Sequence, residues 1–285
     1  MSTISERRAE FRRLHQSGCF VIPNPWDIGS ACYLQHLGFK ALATSSAGFA
    51  FSRGLADNHV PREVMLQHFR EIVAATTIPI NADFENGFAD EPDELAKNVG
   101  LCVKTGVAGL SVEDSTGDKE EPIYGIKHAI ERIAAARRAI DQSGEDVLLV
   151  GRCECFLVGI EDIEEAVRRL QAYAGAGADC LYAPGIESAE DIKRVVAAVV
   201  PKPVNVLLGD PTGMSVADVA KLGVRRVSVG GALARVAWGG VRRAATELLE
   251  KGTFGGFADS FPFGELNGLF RSHPAQSASR RDKGD

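Results

Sequence analysis

The chain has 285 residues, 45% of them hydrophobic and 25% charged, with a formal net charge of -6. These proportions predict a globular protein with a sizeable core and exclude a disordered, collagen-like or coiled-coil chain. The negative balance gives no global field for a nucleic-acid backbone or an anionic membrane.

In chain order the sequence predicts a strand at 19–23, a helix at 28–37, a strand at 41–45, a helix at 61–75, a strand at 78–84 and a helix at 92–104. The alternation continues with strands at 109–114, 148–154, 180–184, 203–208 and 226–230, interleaved with helices at 127–142, 161–175, 188–199, 215–222 and 232–251. Each helix candidate carries apolar residues at three- and four-residue spacing, and each strand candidate is short and apolar or β-branched. Eight strand–helix units predict a (β/α)8 barrel of the α/β class. Gly38, Gly106, Gly177 and Gly223 precede strands, where glycine stops a helix in the left-handed conformation.

No linker divides the chain, so residues 1–251 are expected to form one barrel domain. Residues 252–271 hold Phe254, Phe257, Phe261, Phe263 and Phe270 and are expected to form a C-terminal helical extension that packs on the barrel or a neighbouring subunit. Residues 272–285 are polar and are expected to be a flexible tail. Six cysteines without a CxxC pair argue against a disulfide framework or structural zinc, and a reducing cytoplasm is the expected location. Residues 1–16 lack the apolar core of a signal peptide, and no run approaches the ~18 apolar residues of a membrane span.

In such barrels the catalytic face lies at the C-terminal ends of the strands. Strand three runs into Asp83-Phe84-Glu85-Asn86-Gly87-Phe88, strand four into Glu113-Asp114, and strand five into Arg152-Cys153-Glu154. Strand alternation puts Asp83 with Glu85 and Arg152 with Glu154, and turns Cys153 and Cys155 toward the helices. Converging carboxylates repel unless a cation sits among them, and oxygen ligands suit Mg²⁺, or Mn²⁺, far better than zinc. All ten lysines miss the C-terminal strand ends, which disfavours Schiff-base chemistry. The six histidines form no HxH or HExxH pattern, with His59 alone in a loop near a strand end. Gly209-Asp210-Pro211-Thr212-Gly213 and Gly230-Gly231 stand where many barrels bind phosphate.

With these motifs in place, the sequence resembles the isocitrate lyase and phosphoenolpyruvate mutase superfamily, in particular its phosphonomutase-like branch. The likeness runs from about Phe20 to Lys251 through Pro23-Asn24-Pro25-Trp26-Asp27, Ala43-Thr44-Ser45-Ser46-Ala47-Gly48, Ala82–Phe88, Val112-Glu113-Asp114, Gly151-Arg152 and Val227–Gly231. The resemblance implies a barrel that swaps its last helix with a neighbour, a dimer or dimer of dimers, and a Mg²⁺ requirement. It implies Asp83 as direct metal ligand, with Glu85 and Glu113 holding metal-bound waters and Asp57 organising the water shell. It implies Ser45, Ser46 and Ala47 at a substrate carboxylate and Arg152 at the reacting group; Glu154 joins them by geometry alone.

The chain departs from the pattern in two places. Family lyases carry a Lys-(Lys/Arg)-Cys-Gly-His loop after strand four, where this chain has Ser115-Thr116-Gly117-Asp118-Lys119. The mutases and phosphonopyruvate hydrolases carry a Trp near strand two and a His after strand six, where Ala43 and Pro184 stand here. The expected function is Mg²⁺-dependent stabilisation of the enolate of a small α-oxo acid, in a carbon–carbon lyase or decarboxylase of an oxaloacetate-like or isocitrate-like acid. The alternatives are a phosphonate mutase or hydrolase, a phosphate-ester-binding barrel enzyme, and a catalytically idle binding barrel. Expected partners are a small carboxylic or phosphonic acid and further copies of the chain, without nucleic acid or membrane.

Overall fold

The computed structural model describes residues 2–271. Its strands are β1 (Phe20–Ile22), β2 (Leu42–Ala43), β3 (Ile80–Asp83), β4 (Gly109–Glu113), β5 (Leu148–Arg152), β6 (Cys180–Tyr182), β7 (Val204–Leu207) and β8 (Arg226–Ser228). All pairings are parallel, in the order β1-β8-β7-β6-β5-β4-β3-β2. Across the β1–β2 seam the Ala43 N–H donates to the Pro23 carbonyl at 3.1 Å. The result is the (β/α)8 barrel that the alternation predicts.

The eight predicted helices are α2 (Ile28–His36), α4 (Arg62–Ala75), α5 (Pro92–Val103), α6 (Ile126–Ser143), α7 (Ile163–Gly175), α8 (Ala189–Val199), α9 (Val216–Lys221) and α10 (Ala232–Lys251). Gly106 (φ +90°) and Gly177 (φ +106°) take the left-handed conformation that ends α5 and α7 before the next strand. Helix α11 (Phe263–Arg271) lies in the expected C-terminal helical extension, whereas two further helices were not expected: α1 (Ile4–Leu14) and α3 (Ser46–Ser52).

Helix α1 opens on a capping box in which the Thr3 hydroxyl accepts from the Glu6 N–H and Glu6 reaches back to the Thr3 N–H. It closes the N-terminal end of the barrel. Phe11 is fully buried among Ile22, Ala41, Ala108 and Leu148, and Arg8 donates to the Val103 and Val107 carbonyls. The larger core lies between strands and helices and includes Cys153 and Cys155, which face the helices as alternation predicts.

The C-terminal region differs from the barrel. Ala234 alone is buried on α10, while Val236, Trp238, Val241 and Leu249 are exposed. A short 3₁₀ turn at Gly255–Phe257 packs on α10, and α11 touches α2, with Tyr33 edge-on to Phe261 at 5.5 Å. The expected tail at 272–285 lies outside the described residues. Among the described residues no helix is long and apolar enough to cross a membrane.

Candidate active site

Strands β3, β4 and β5 are neighbours and end in Asp83, Glu113 and Arg152. Register pairs Glu113 directly with Arg152, and inward alternation sends all three side chains into the barrel mouth. Arg152 Nη1 lies 3.1 Å from Asp83 Oδ1 and 3.2 Å from Glu113 Oε2. Its Nε and Nη2 bind both carboxylate oxygens of Glu154, giving the planar guanidinium a two-pronged partner. Asp83 is further fixed from α3: the Ser46 N–H and Oγ donate to its Oδ2 at 3.0 and 2.9 Å.

Glu85 arrives by a different route from the one alternation predicts. The strand ends at Asp83, and Glu85 adopts a left-handed backbone (φ +50°), which costs a non-glycine residue about 1–3 kcal/mol. This turn places Glu85 within electrostatic reach of Asp83 and Asp57 and buries it, leaving its Oε1 without a protein hydrogen-bond partner. Glu154 likewise lies beyond the end of β5, its backbone N–H donating to Asp114 Oδ1 at 2.8 Å.

Glu85, Glu113 and Glu154 are poised against ionisation. Burial, reinforced by Asp83 and Asp57, pushes Glu85 up to about 8. Burial also raises Glu113 well above the ordinary range, with Arg152 opposing and Glu154, Asp83 and Glu85 adding to the shift. Glu154 is raised by burial despite its contact with Arg152. Burial alone would weaken Arg152 as a cation, but Glu154, Glu113 and Asp83 hold it firmly charged.

The remaining predicted residues fall into place unevenly. Ser45 is buried and caps α3, its Oγ accepting from the Gly48 N–H at 3.0 Å. Gly48 is required there, because a Cβ would lie 2.9 Å from Trp26 and 3.2 Å from Ala234. Ala47 follows in the first turn of α3, where backbone amides lack partners within the helix. Asp57 stands on the exposed rim and is raised by lost solvation and by Asp83; the Asn58 N–H, which donates to its Oδ1 at 3.1 Å, acts in the opposite sense. His59 is exposed and binds the Asp57 carbonyl rather than the acidic cluster. In the loop after β4, Thr116 bonds back to Glu121 and Pro122, and Ser115 bridges Ile123.

Sequence reasoning missed several groups. Asn24, seen only as part of a motif, accepts the Val229 and Gly230 N–H groups on its Oδ1, each at 2.9 Å. Of the strand-eight amides on which a phosphate reading depends, that of Gly230 is therefore already engaged. Beneath Asp83 and Arg152 the barrel interior is polar, with Ser111, Tyr182, Asn205, Arg226 and Ser228 around a cavity of about 40 Å³. Alternation could place these side chains inward, but nothing in the sequence showed that they line one space. A larger groove of about 710 Å³ runs beside α10, past Arg235, Trp238 and Arg242, away from the acidic cluster. Among the described residues no three His, Cys, Asp or Glu side chains are arranged to hold a metal by themselves.

A family model described as phosphoenolpyruvate phosphomutase matches residues 11–249. An uncharacterised protein of Mycobacterium tuberculosis is 31% identical over 224 residues, which cover 77% of this chain and 81% of that protein. A structure of a Burkholderia cenocepacia J2315 protein, provisionally classed as a lyase/mutase, is 46% identical with a TM-score of 0.92 and covers 94% of this chain and 98% of its own. The structure of 2,3-dimethylmalate lyase, a PEP mutase/isocitrate lyase superfamily member, is 25% identical with a TM-score of 0.84, covering 99% of both chains.

Proposed function

This chain belongs to the phosphoenolpyruvate phosphomutase family, and from that premise we propose that it is a Mg²⁺-dependent enzyme stabilising the enolate of a small α-oxo acid. Carbon–carbon cleavage or decarboxylation of an oxaloacetate-like or isocitrate-like acid is the reaction it favours. One observation carries this reading: Arg152 held between Asp83, Glu113 and Glu154 at the barrel mouth. The likeness to 2,3-dimethylmalate lyase supports the carbon–carbon branch.

The donor set fits Mg²⁺, with Mn²⁺ as a substitute. Magnesium takes one or two carboxylates and keeps several waters, so it needs no cage of protein ligands. Asp83 would hold it directly, and Glu85, whose buried Oε1 has no protein partner, would hold its water shell together with Glu113 and Asp57. When bound, the ion supplies Lewis-acid stabilisation of negative charge on the substrate oxygens.

The chain's own residues do the rest. Arg152 binds and polarises the departing carboxylate-bearing group, while Glu154 and Glu113 keep its guanidinium in one orientation. Ser46 fixes Asp83 through two hydrogen bonds, and Ser45 fixes the first turn of α3, so that of the three residues expected at the substrate carboxylate the Ala47 amide would receive it, Ser45 and Ser46 holding the turn. The occupied Gly230 amide weighs against the phosphate-ester alternative. Ala43 and Pro184, at the positions of the mutase Trp and His, place carbon–phosphorus chemistry second.

A screen of oxo-acid substrates for pyruvate, oxalate or related products, with Mg²⁺ and with EDTA, tests the proposal. Turnover is expected only with metal. Equal turnover after EDTA and in Asp83→Ala would remove the metal-assisted mechanism.

A further inference from the structure

The barrel interior carries a cation that the proposed reaction does not use. Arg226, the first residue of β8, is 3% exposed. Its Nε donates to Asn205 Oδ1 at 2.8 Å, and its Nη1 reaches Asn81 Oδ1 at 3.4 Å and His15 Nε2 at 3.5 Å. Two of these partners are neutral amides. The third, His15, is held uncharged by burial and by Arg226 itself, with its other nitrogen against the Phe11 carbonyl at 2.8 Å. Among the described residues Arg226 forms no ion pair with any carboxylate; buried Arg132 forms none either but donates to three backbone carbonyls, whereas Arg152 and Arg169 pair with Asp83 and Asp114. An unmatched buried charge costs several kcal/mol.

The Arg226 guanidinium borders the cavity of about 40 Å³ beneath the acidic cluster. That space exceeds the ~10–15 Å³ needed for one water. Thr44, Ser111, Tyr182, Ser228 and Asn205 are among its lining residues, although Ser111 already donates to the Ala82 carbonyl and Asn205 to Ser228. The charged groups on the wall are two guanidiniums, Arg226 and Arg152, and one carboxylate, Asp83. Both oxygens of Asp83 are already engaged, one by Arg152 and the other by Ser46. Arg152 is matched by Asp83, Glu113 and Glu154, so Arg226 is the wall cation without a carboxylate partner, in a space too small for an organic acid.

We propose that this cavity binds one small monovalent anion of the halide class, which supplies the counter-charge that Arg226 lacks. The cavity shares Asp83 and Arg152 with the reaction site above it and so forms its floor, but the proposal rests on Arg226 and not on which substrate is found at the mouth.

Two measurements on the full chain test it. Crystals soaked in sodium bromide are expected to show an anomalous peak in the cavity against the Arg226 guanidinium. Thermal unfolding is expected to shift upward and saturate with sodium chloride but not with sodium gluconate at matched ionic strength, and the difference should vanish in Arg226→Gln. Because that variant could fold poorly, the wild-type measurements decide. Water alone in the cavity, or equal melting in the two salts, overturns the proposal. A bromide peak without salt-specific stabilisation would mean an adventitious ion only, and overturns it as well.

Discussion

Arg152 Nη1 stands 3.1 Å from Asp83 Oδ1, so one contact ties β3 to β5 across the intervening β4. Because Glu113 and Glu154 crowd the same guanidinium, the cation makes the acidic cluster tolerable in the folded chain. Asp83→Ala is expected to lower kcat/KM by roughly 10³-fold, about 4 kcal/mol of transition-state stabilisation. It should also abolish the heat of Mg²⁺ binding in calorimetry while leaving the far-ultraviolet circular dichroism unchanged. A variant with activity within tenfold of wild type would show that Asp83 is not the metal's direct ligand.

Arg152→Lys separates charge from shape. Lysine keeps the positive charge but cannot grip both oxygens of Glu154 while also reaching Asp83 and Glu113. Activity is expected to fall at least roughly 10²-fold, mainly in kcat, with Mg²⁺ affinity altered by less than about tenfold. Parallel losses of Mg²⁺ affinity and kcat would instead assign Arg152 to holding the acidic cluster together.

His15 provides a pH signature remote from the acidic cluster. Its Nδ1 donates to the Phe11 carbonyl and its Nε2 faces Arg226, so protonation would set two cations side by side in the core. Burial first, and Arg226 second, lower its pKa from 6.5 to about 3. As pH falls below 6.5 the unfolded chain takes up this proton before the folded one does. The contribution of neutral His15 is therefore full above pH 6.5 and is lost progressively toward pH 3, at up to about 1.4 kcal/mol per pH unit. Urea unfolding of wild type and His15→Gln near pH 7 and near pH 5 checks this. The variant should lose less stability over that interval, and identical losses would contradict the assignment.

The eight strand–helix units were legible because short apolar or β-branched runs alternate with stretches whose apolar residues recur at 3.6-residue spacing. Helix α1 was not, since Arg7, Arg8, Arg12 and Arg13 masked a stripe of only Ile4, Phe11 and Leu14, although the Thr3–Glu6 capping signal was present. Asp83, Glu113 and Arg152 could be assigned to one mouth because they close adjacent strands. Glu85 was assigned there by alternation, yet it arrives through a left-handed turn that alternation does not describe. Tyr182 and Arg226 were missed because a strand's pattern gives the direction of a side chain but not what it meets across a barrel.

Asp114 holds the wall behind the site. Its Oδ2 accepts from Arg169 Nη1 at 3.0 Å and from the Tyr173 hydroxyl at 2.5 Å, and its Oδ1 accepts from the Glu154 N–H. All three residues that supply these donors are buried. Asp114→Ala would leave Arg169 with Glu165 as its remaining carboxylate and is expected to cost about 3–5 kcal/mol, whereas Tyr173→Phe removes one hydrogen bond and should cost about 1–2 kcal/mol. Urea midpoints at constant slope measure both. Comparable losses in the two variants would show that the Asp114–Arg169 pair is not the stronger link.

Helix α10 leads to the last prediction. Trp238, Val241 and Leu248 recur at three- and seven-residue spacing and form an apolar stripe, with Leu249 beside it, that faces away from the chain's own barrel. Such a stripe on an isolated chain is an unmet interface, and a second copy using the same helix would bury it reciprocally about a twofold axis. Sedimentation velocity is therefore expected to show a dimer or a dimer of dimers at micromolar concentration. Trp238→Glu and Leu249→Glu, each placing a charge on the stripe, should shift the population toward monomer without unfolding the barrel. Arg168→Glu, on an exposed position of α7, provides the control for added charge alone and should leave the assembly intact. A monomeric wild type, or stripe variants that remain assembled, would remove α10 from the interface.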